Sequence, residues 1–322
     1  MPFLLVLLAW TADEEALERL PPAPLALRNQ HPLSLVFFDF NTATAAPLPA
    51  GRVETAFRLT LTNVYQDGSG SEYDVLFDGE FLRGAFSARW GALDGVELGA
   101  EVPLIYGSGG FLDAVFRHYH DFWHLPQTAP DDAPEDRFEV RARRDGETFF
   151  EMEGHDVAFG DLNLFAKVRL LDERRHPLTL AARGGIEPPT GSVSRGTSNG
   201  EWDGGVGLLA QRTFGLWTPI LNVDLMLPGG LRGAETRPYL ASALALRADP
   251  EPWVGVVVQL DFNTNVLAKT DLPELKRDQL QIATGLDLRL SRRVSLEIGF
   301  AEDLIQSTSP DWTGFVGLRL HF

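Results

Sequence analysis

The sequence predicts an all-β protein, a single antiparallel transmembrane β-barrel of about twelve strands. Three observations predict it. From Gly51 to the C-terminus, segments of about ten residues alternate apolar and polar side chains, the length and period of a tilted strand crossing a bilayer. The connections between them alternate long with short, as extracellular loops alternate with periplasmic turns. The chain ends on an aromatic, Phe322, that completes a period-two run from Val316.

Bulk composition is compatible with this and removes other classes. The 322 residues carry a formal charge of −17, and mean hydropathy is −0.08. A barrel gives such a bland average because lipid-facing and lumen-facing side chains cancel. No apolar run approaches the roughly 18 residues that a membrane helix requires. The negative charge repels nucleic acid, which is therefore not an expected partner. Without cysteine there is no disulfide and no thiolate metal site.

In chain order, residues 1–12 read as a secretory signal: a compact apolar run, then Thr11-Ala12 before Asp13-Glu14-Glu15. A basic residue ahead of the run is missing, and Trp10 is unusual so near the expected cut. Residues 13–50 are expected as a periplasmic N-terminal segment and 51–322 as the barrel.

The apolar parities of the expected strands run as follows. The first carries Val53, Phe57, Leu59 and Leu61. The second, over 73–90, carries Leu82, Phe86, Ala88 and Trp90, with a parity slip near Gly79 that suggests a bulge. Then come Val96–Leu104, Leu162–Leu170, Leu178–Ile186, Trp202–Ala210, Trp217–Leu225, Leu240–Leu246, Val254–Phe262, Leu280–Leu288, Val294–Phe300 and Val316–Phe322, each read at alternate positions. Connections such as 66–71, 188–201 and 265–278 are long and rich in Gly, Pro and Asp; those at 91–95, 213–216 and 291–293 are short. A soluble sandwich also gives short alternating strands, but it has no reason to keep this alternation of loops. Trp90, Trp202, Trp217, Trp253 and Trp312 fall near segment ends, as in an aromatic girdle.

The opposite parity is polar. It supplies candidate lumen-lining residues Arg58, Glu97, Glu101, Asp161, Lys167, Arg169, Arg183 and Glu187, followed by Asp203, Asp224, Asp261, Asp287, Arg289, Glu297 and Arg319. Mixed charge in a barrel interior is compatible with a wet pore or with a closed network that fills it.

The extracellular insertion, 107–160, has two parts. Apolar residues from 111 to 123 recur at helical spacing, and Phe111, Val115, Tyr119 and Phe122 would form a lid over the mouth or lie as an interfacial helix in the outer leaflet. Alternating runs over 137–152 flank Asp145-Gly146, a hairpin signal; if that hairpin joined the wall the barrel would have fourteen strands.

Several strings resemble a family of proteobacterial outer-membrane and envelope proteins classed as a domain of unknown function. They are Arg28-Asn29-Gln30-His31-Pro32-Leu33, Val102-Pro103-Leu104, Gly107-Ser108-Gly109-Gly110, His120-Asp121-Phe122-Trp123-His124, Gly160-Asp161-Leu162 and Glu187-Pro188-Pro189-Thr190-Gly191. The general plan is similar to that of outer-membrane transporters of aromatic-degradation pathways. The resemblance covers about Arg28 to Phe322 and implies an envelope barrel. It brings no catalytic or ligand residues.

Candidate chemistry is thin. His120 and His124 share a helical face, but no His-Glu-x-x-His accompanies them. Ser198-Asn199-Gly200 faintly resembles the nucleophile region of outer-membrane phospholipase, yet Gly196 stands where that class needs its His. The expectation is therefore no enzyme, no cofactor and no metal. The expected partners are outer-membrane lipid, the barrel-assembly machinery acting through the strand that ends at Phe322, and a small solute. A non-transport structural role is the alternative, with lipid hydrolysis behind it.

Overall fold

In the computed structural model, which describes residues 22–110, 137–267, 269–305 and 309–322, fifteen strands and two short helices appear. Twelve strands close an antiparallel barrel. They are β1 (Val53–Ser69), β2 (Tyr73–Leu93), β3 (Val96–Ser108), β7 (Asn163–Leu171), β8 (Thr179–Glu187), β9 (Asp203–Gln211), β10 (Trp217–Leu227), β11 (Tyr239–Glu251), β12 (Val254–Asn263), β13 (Gln279–Arg289), β14 (Val294–Asp303) and β15 (Trp312–His321). The remaining strands are β4 (Glu139–Arg144), β5 (Glu147–Met152) and β6 (Ala158–Phe159); the helices are α1 (Pro32–Leu35) and α2 (Pro273–Lys276).

Closure joins the first wall strand to the last. Glu54 pairs with His321 and Asn63 with Trp312. Val53 and Phe322 exchange both backbone hydrogen bonds, at 3.1 and 2.8 Å. The outward parity is apolar and exposed, through Phe86, Leu98, Val206, Leu225, Leu244 and Val316 among others. An exposed apolar belt of this kind requires a lipid solvent. Trp90, Trp217 and Trp253 mark one end of the belt, the end of the short turns, and Trp202 marks the other.

Two expectations need correction, and a third point, left open, is resolved. The strand over 73–90 carries no bulge at Gly79: β1 and β2 pair without a break from Val53/Trp90 to Ser69/Asp74. The parity looked slipped because the far part of β2 is covered on both faces. There the ring of Phe138 occupies the space that side chains would need at Gly79, Gly107 and Gly154. Residues 66–69, expected in a loop, continue the ladder instead, so the β1–β2 hairpin projects beyond the neighbouring wall. Finally, the 137–152 hairpin exists but does not enlarge the barrel. As β4–β5 it adds to the projecting part of β2, with Tyr73 opposite Arg144 and Asp78 opposite Glu139.

The inner face of this projection meets α1 and the loops of 231–275. Leu33, Phe37, Tyr73, Phe77, Phe81, Val140, Phe150, Leu272 and Leu275 form one buried cluster that roofs the long-loop end. The signal residues 1–12 and the lid residues Phe111, Val115, Tyr119 and Phe122 lie outside the described residues, as do His120 and His124.

Candidate functional site: the occupied lumen

Residues 22–49 run inside the barrel rather than outside it, and residues 13–21 of the expected periplasmic segment over 13–50 lie outside the described residues. One leg rises along the β11–β13 wall. The Ala23 carbonyl accepts from Arg247 (3.2 Å), the Leu25 amide donates to Gln259 Oε1 (3.1 Å), and Asn29 donates to Gln279. At the top His31 caps α1, its Nδ1 accepting from the Leu33 amide at 3.3 Å while Nε2 lies 3.1 Å from Gln66 Oε1. Arg28 clamps the bend by donating to the Ser34 and Phe37 carbonyls at 3.1 and 2.7 Å.

The second leg descends along the opposite wall. The Phe38 amide donates to Asp203 Oδ2 (3.0 Å) and its carbonyl accepts from Tyr239 (3.0 Å). Asn41 donates to Glu101 Oε2 at 2.7 Å. Asn222 bonds both backbone groups of Ala43, accepting at 2.9 and donating at 3.0 Å. Gln211 Oε1 accepts from Thr44 Oγ1 and the Ala45 amide at 2.7 Å, Lys167 Nζ donates to the Thr44 carbonyl at 3.1 Å, and Glu97 Oε2 accepts from the Leu48 amide at 2.8 Å. An extended chain without a ladder partner must satisfy its backbone groups elsewhere. Here the wall's own side chains do it.

The predicted lumen residues are distributed around this segment. The structure brings together Arg58 with Glu297 (2.5 Å), Lys167 with Glu97 (3.0 Å), Arg183 with Asp224 (2.7 Å), and Arg319 with Asp287. Asp203 and Glu101 hold the descending leg, and Asp261 accepts from Gln259 at 2.9 Å. Asp161 and Glu187 are buried near the long-loop end. Arg169 instead reaches Asp94 and Asp172 at the short-turn rim, and Arg289 ends β13 there. Sequence reasoning missed Arg83, which pairs with Glu101 at 2.5 Å, and Arg89, which pairs with Glu54 and Glu97. It also missed Arg247, paired with Asp287 at 2.7 Å. Arg83 and Arg89 stood opposite Leu82, Phe86 and Trp90 in the same strand, so the parity rule would have found them. Arg28 and Asp39, on the segment itself, had no such signal.

The fit is incomplete. Arg28 Nε, Gln30 Oε1 and Asp39 Oδ1 are buried without a hydrogen-bond partner. Such orphans work against docking. Beside the segment lie a cavity of about 110 Å³, lined by Phe38, Glu101, Asn163, Phe165 and Arg183 among others, and a smaller one of about 20 Å³ toward β10–β13.

Two buried groups on the segment titrate in opposite senses. Burial pushes His31 down to about 3, partly offset by its bond to Gln66. Burial raises Asp39 to about 6, with Arg28 and Arg183 opposing and Asp224 adding to the rise. On release each group regains its ordinary value. As pH falls from 7 to 5, docking loses about 2 kcal/mol through His31 and gains about 1 kcal/mol through Asp39. Asp39→Asn should therefore lose more docking than the wild type as pH falls from 7 to 5, read as protease cleavage of residues 22–49. An equal or flatter pH dependence in the variant refutes the assignment.

Ser198 is buried, beside Asp161, and its Oγ accepts from the Gly200 amide at 3.0 Å within a turn.

The fold is shared with the COG4313 outer-membrane channel from Pseudomonas putida F1, at a TM-score of 0.58 and 14% identity over 88% of this chain and 100% of that one. The toluene transporter TodX of the same species matches at a TM-score of 0.37 and 8% identity, over 91% of each chain, too low to add to the argument. No curated protein matches. The strings that resembled an envelope family belong to a whole-chain match: the chain is a member of the family described as a protein of unknown function (DUF3187), whose model covers residues 1–322.

Proposed function

We propose that the protein sits in the outer membrane with its long loops outside, and passes small solutes through a lumen that its own N-terminal segment keeps closed. The observation that carries this reading is the kind of contact inside. Residues 22–49 are held by side-chain hydrogen bonds from the wall, not by a strand ladder, and retain unpaired polar atoms and an adjoining cavity. A purely structural barrel would be expected to fill its interior from its own wall. The likeness to a channel fold supports the same reading. Lipid around the belt and the assembly machinery at the last strand complete the expected partners.

The test is conductance in planar bilayers. Deleting residues 24–46 from the full chain should raise single-channel conductance several-fold over the wild type while heat-dependent migration on gels still reports a closed barrel. An assembled deletion variant that conducts no better than the wild type would support the structural alternative.

A further inference from the structure

Most inward carboxylates of the wall have an arginine or lysine at salt-bridge distance, as Glu101 has Arg83 and Asp224 has Arg183. Three carboxylates at the long-loop end have none among the described residues: Asp161, Glu187 and Asp203, each of them buried. The ladders set them close together. Glu187 of β8 pairs directly with Asp203 of β9. The β7–β8 register, Leu164 opposite Ile186, brings Asn163 opposite Glu187 on the other side. Like charges directly opposite on one face of a sheet repel. Asp161 stands two residues before Asn163, and its Oδ1 accepts from the Gly191 amide, four residues beyond Glu187, at 2.6 Å. Three strings of the sequence, Gly160-Asp161-Leu162, Glu187-Pro188-Pro189-Thr190-Gly191 and Ser198-Asn199-Gly200, therefore meet here.

The three carboxylates are not satisfied alike. Asp203 has both oxygens engaged: Asn199 Nδ2 donates to each, at 2.9 and 3.0 Å, and the Gly229 and Phe38 amides donate to one apiece. N–H donors can hold an ionised carboxylate in this way. Asp161 Oδ2 and Glu187 Oε1 are instead buried without a hydrogen-bond partner, in residues only 4% and 2% exposed. Orphaned carboxylate oxygens in an interior are costly, and a third carboxylate alongside adds to the cost. Arg28 on the inner segment is the cation that acts on Glu187, but its Nη2 is committed to the Ser34 and Phe37 carbonyls.

We propose that Asp161 and Glu187 hold a hard divalent cation, calcium, at the long-loop end. Two carboxylates match its charge, and calcium accepts oxygen ligands in a flexible geometry that water can complete. Asp203, saturated by N–H donors, stays outside the ligand set. The larger lumen cavity reaches Asn163, the cross-strand neighbour of Glu187, and at about 110 Å³ has room for those waters. The bound ion ties the approach to β7, the end of β8 and loop 188–199 into one unit. The site is independent of solute passage.

The experiment titrates calcium chloride, by calorimetry, into the full chain refolded in detergent free of lipopolysaccharide and stripped with EDTA. One ion should bind with Kd on the order of 10⁻⁴ to 10⁻³ M. Glu187→Gln and Asp161→Asn keep the side-chain shape, and each should weaken binding about tenfold or more, with heat-dependent gel migration still reporting a closed barrel. Asp261→Asn, which removes another buried lumen carboxylate, should bind as the wild type does. A second measure needs no variant: calcium at ten times its Kd should slow protease cleavage of loop 188–199 about tenfold. Absence of saturable binding to the wild type overturns the site, and Glu187 is then neutralised by a proton. Equal affinity in the wild type and both assembled variants overturns it too, placing the ion on the outer surface. Cleavage of the loop at an unchanged rate in saturating calcium does the same.

Discussion

Arg183→Ala should destabilise the barrel and free the N-terminal segment in one step. The guanidinium makes a bidentate pair with Asp224, both bonds at 2.7 Å, donates to the Asn41 carbonyl at 2.8 Å, and lies over the Phe40 ring, 4.3 Å from its centroid. One side chain thus ties β8 to β10 and both to the descending leg. Removing it leaves the Asp224 carboxylate buried without its counter-charge, a loss of about 3–5 kcal/mol. Lysine should rescue poorly, because a point charge cannot reproduce the fork. The measurements are urea unfolding in lipid vesicles and cleavage of the segment by protease. Arg183→Ala combined with Asp224→Ala should lose less than the sum of the two single variants. Additive losses would show that the pair does not act as a unit.

Phe322→Asp should leave only a minority of the protein assembled in the outer membrane. Phe322 is exposed on the outer face, at the point where the last strand meets the first. A charge near a membrane interface costs the finished barrel only about 1 kcal/mol. A large loss of assembled protein would therefore report recognition during assembly rather than stability. His321→Arg is the control. That position faces inward, with Nδ1 3.3 Å from Glu54 Oε2, and an arginine there should be accepted. If the two variants assemble equally poorly, the outward aromatic plays no special part.

How much of this was legible in the sequence differs from region to region. The wall was readable because its physics is local: one face of each strand meets lipid and the other does not, and Val254–Asn263 shows that alternation within ten residues. The inward charges came from the same rule, Glu97 and Arg183 included. The inner segment was not readable. Residues 22–49 have no period, because their backbone is satisfied by side chains far along the chain, as Leu25 is by Gln259 and Ala43 by Asn222. Gly79 misled for a related reason: its missing side chain makes room for Phe138, a contact that local alternation does not encode.

The bend at α1 has a topological consequence. The segment reaches the roof and comes back, so Ala23 and Leu48 are both held by wall residues toward the short-turn side, by Arg247 and Glu97. It occupies the bore as a folded loop, not as a thread passed through it. A thread can leave a closed ring only if one end is drawn the whole way through, whereas a loop can be withdrawn on the side it entered with every wall bond intact.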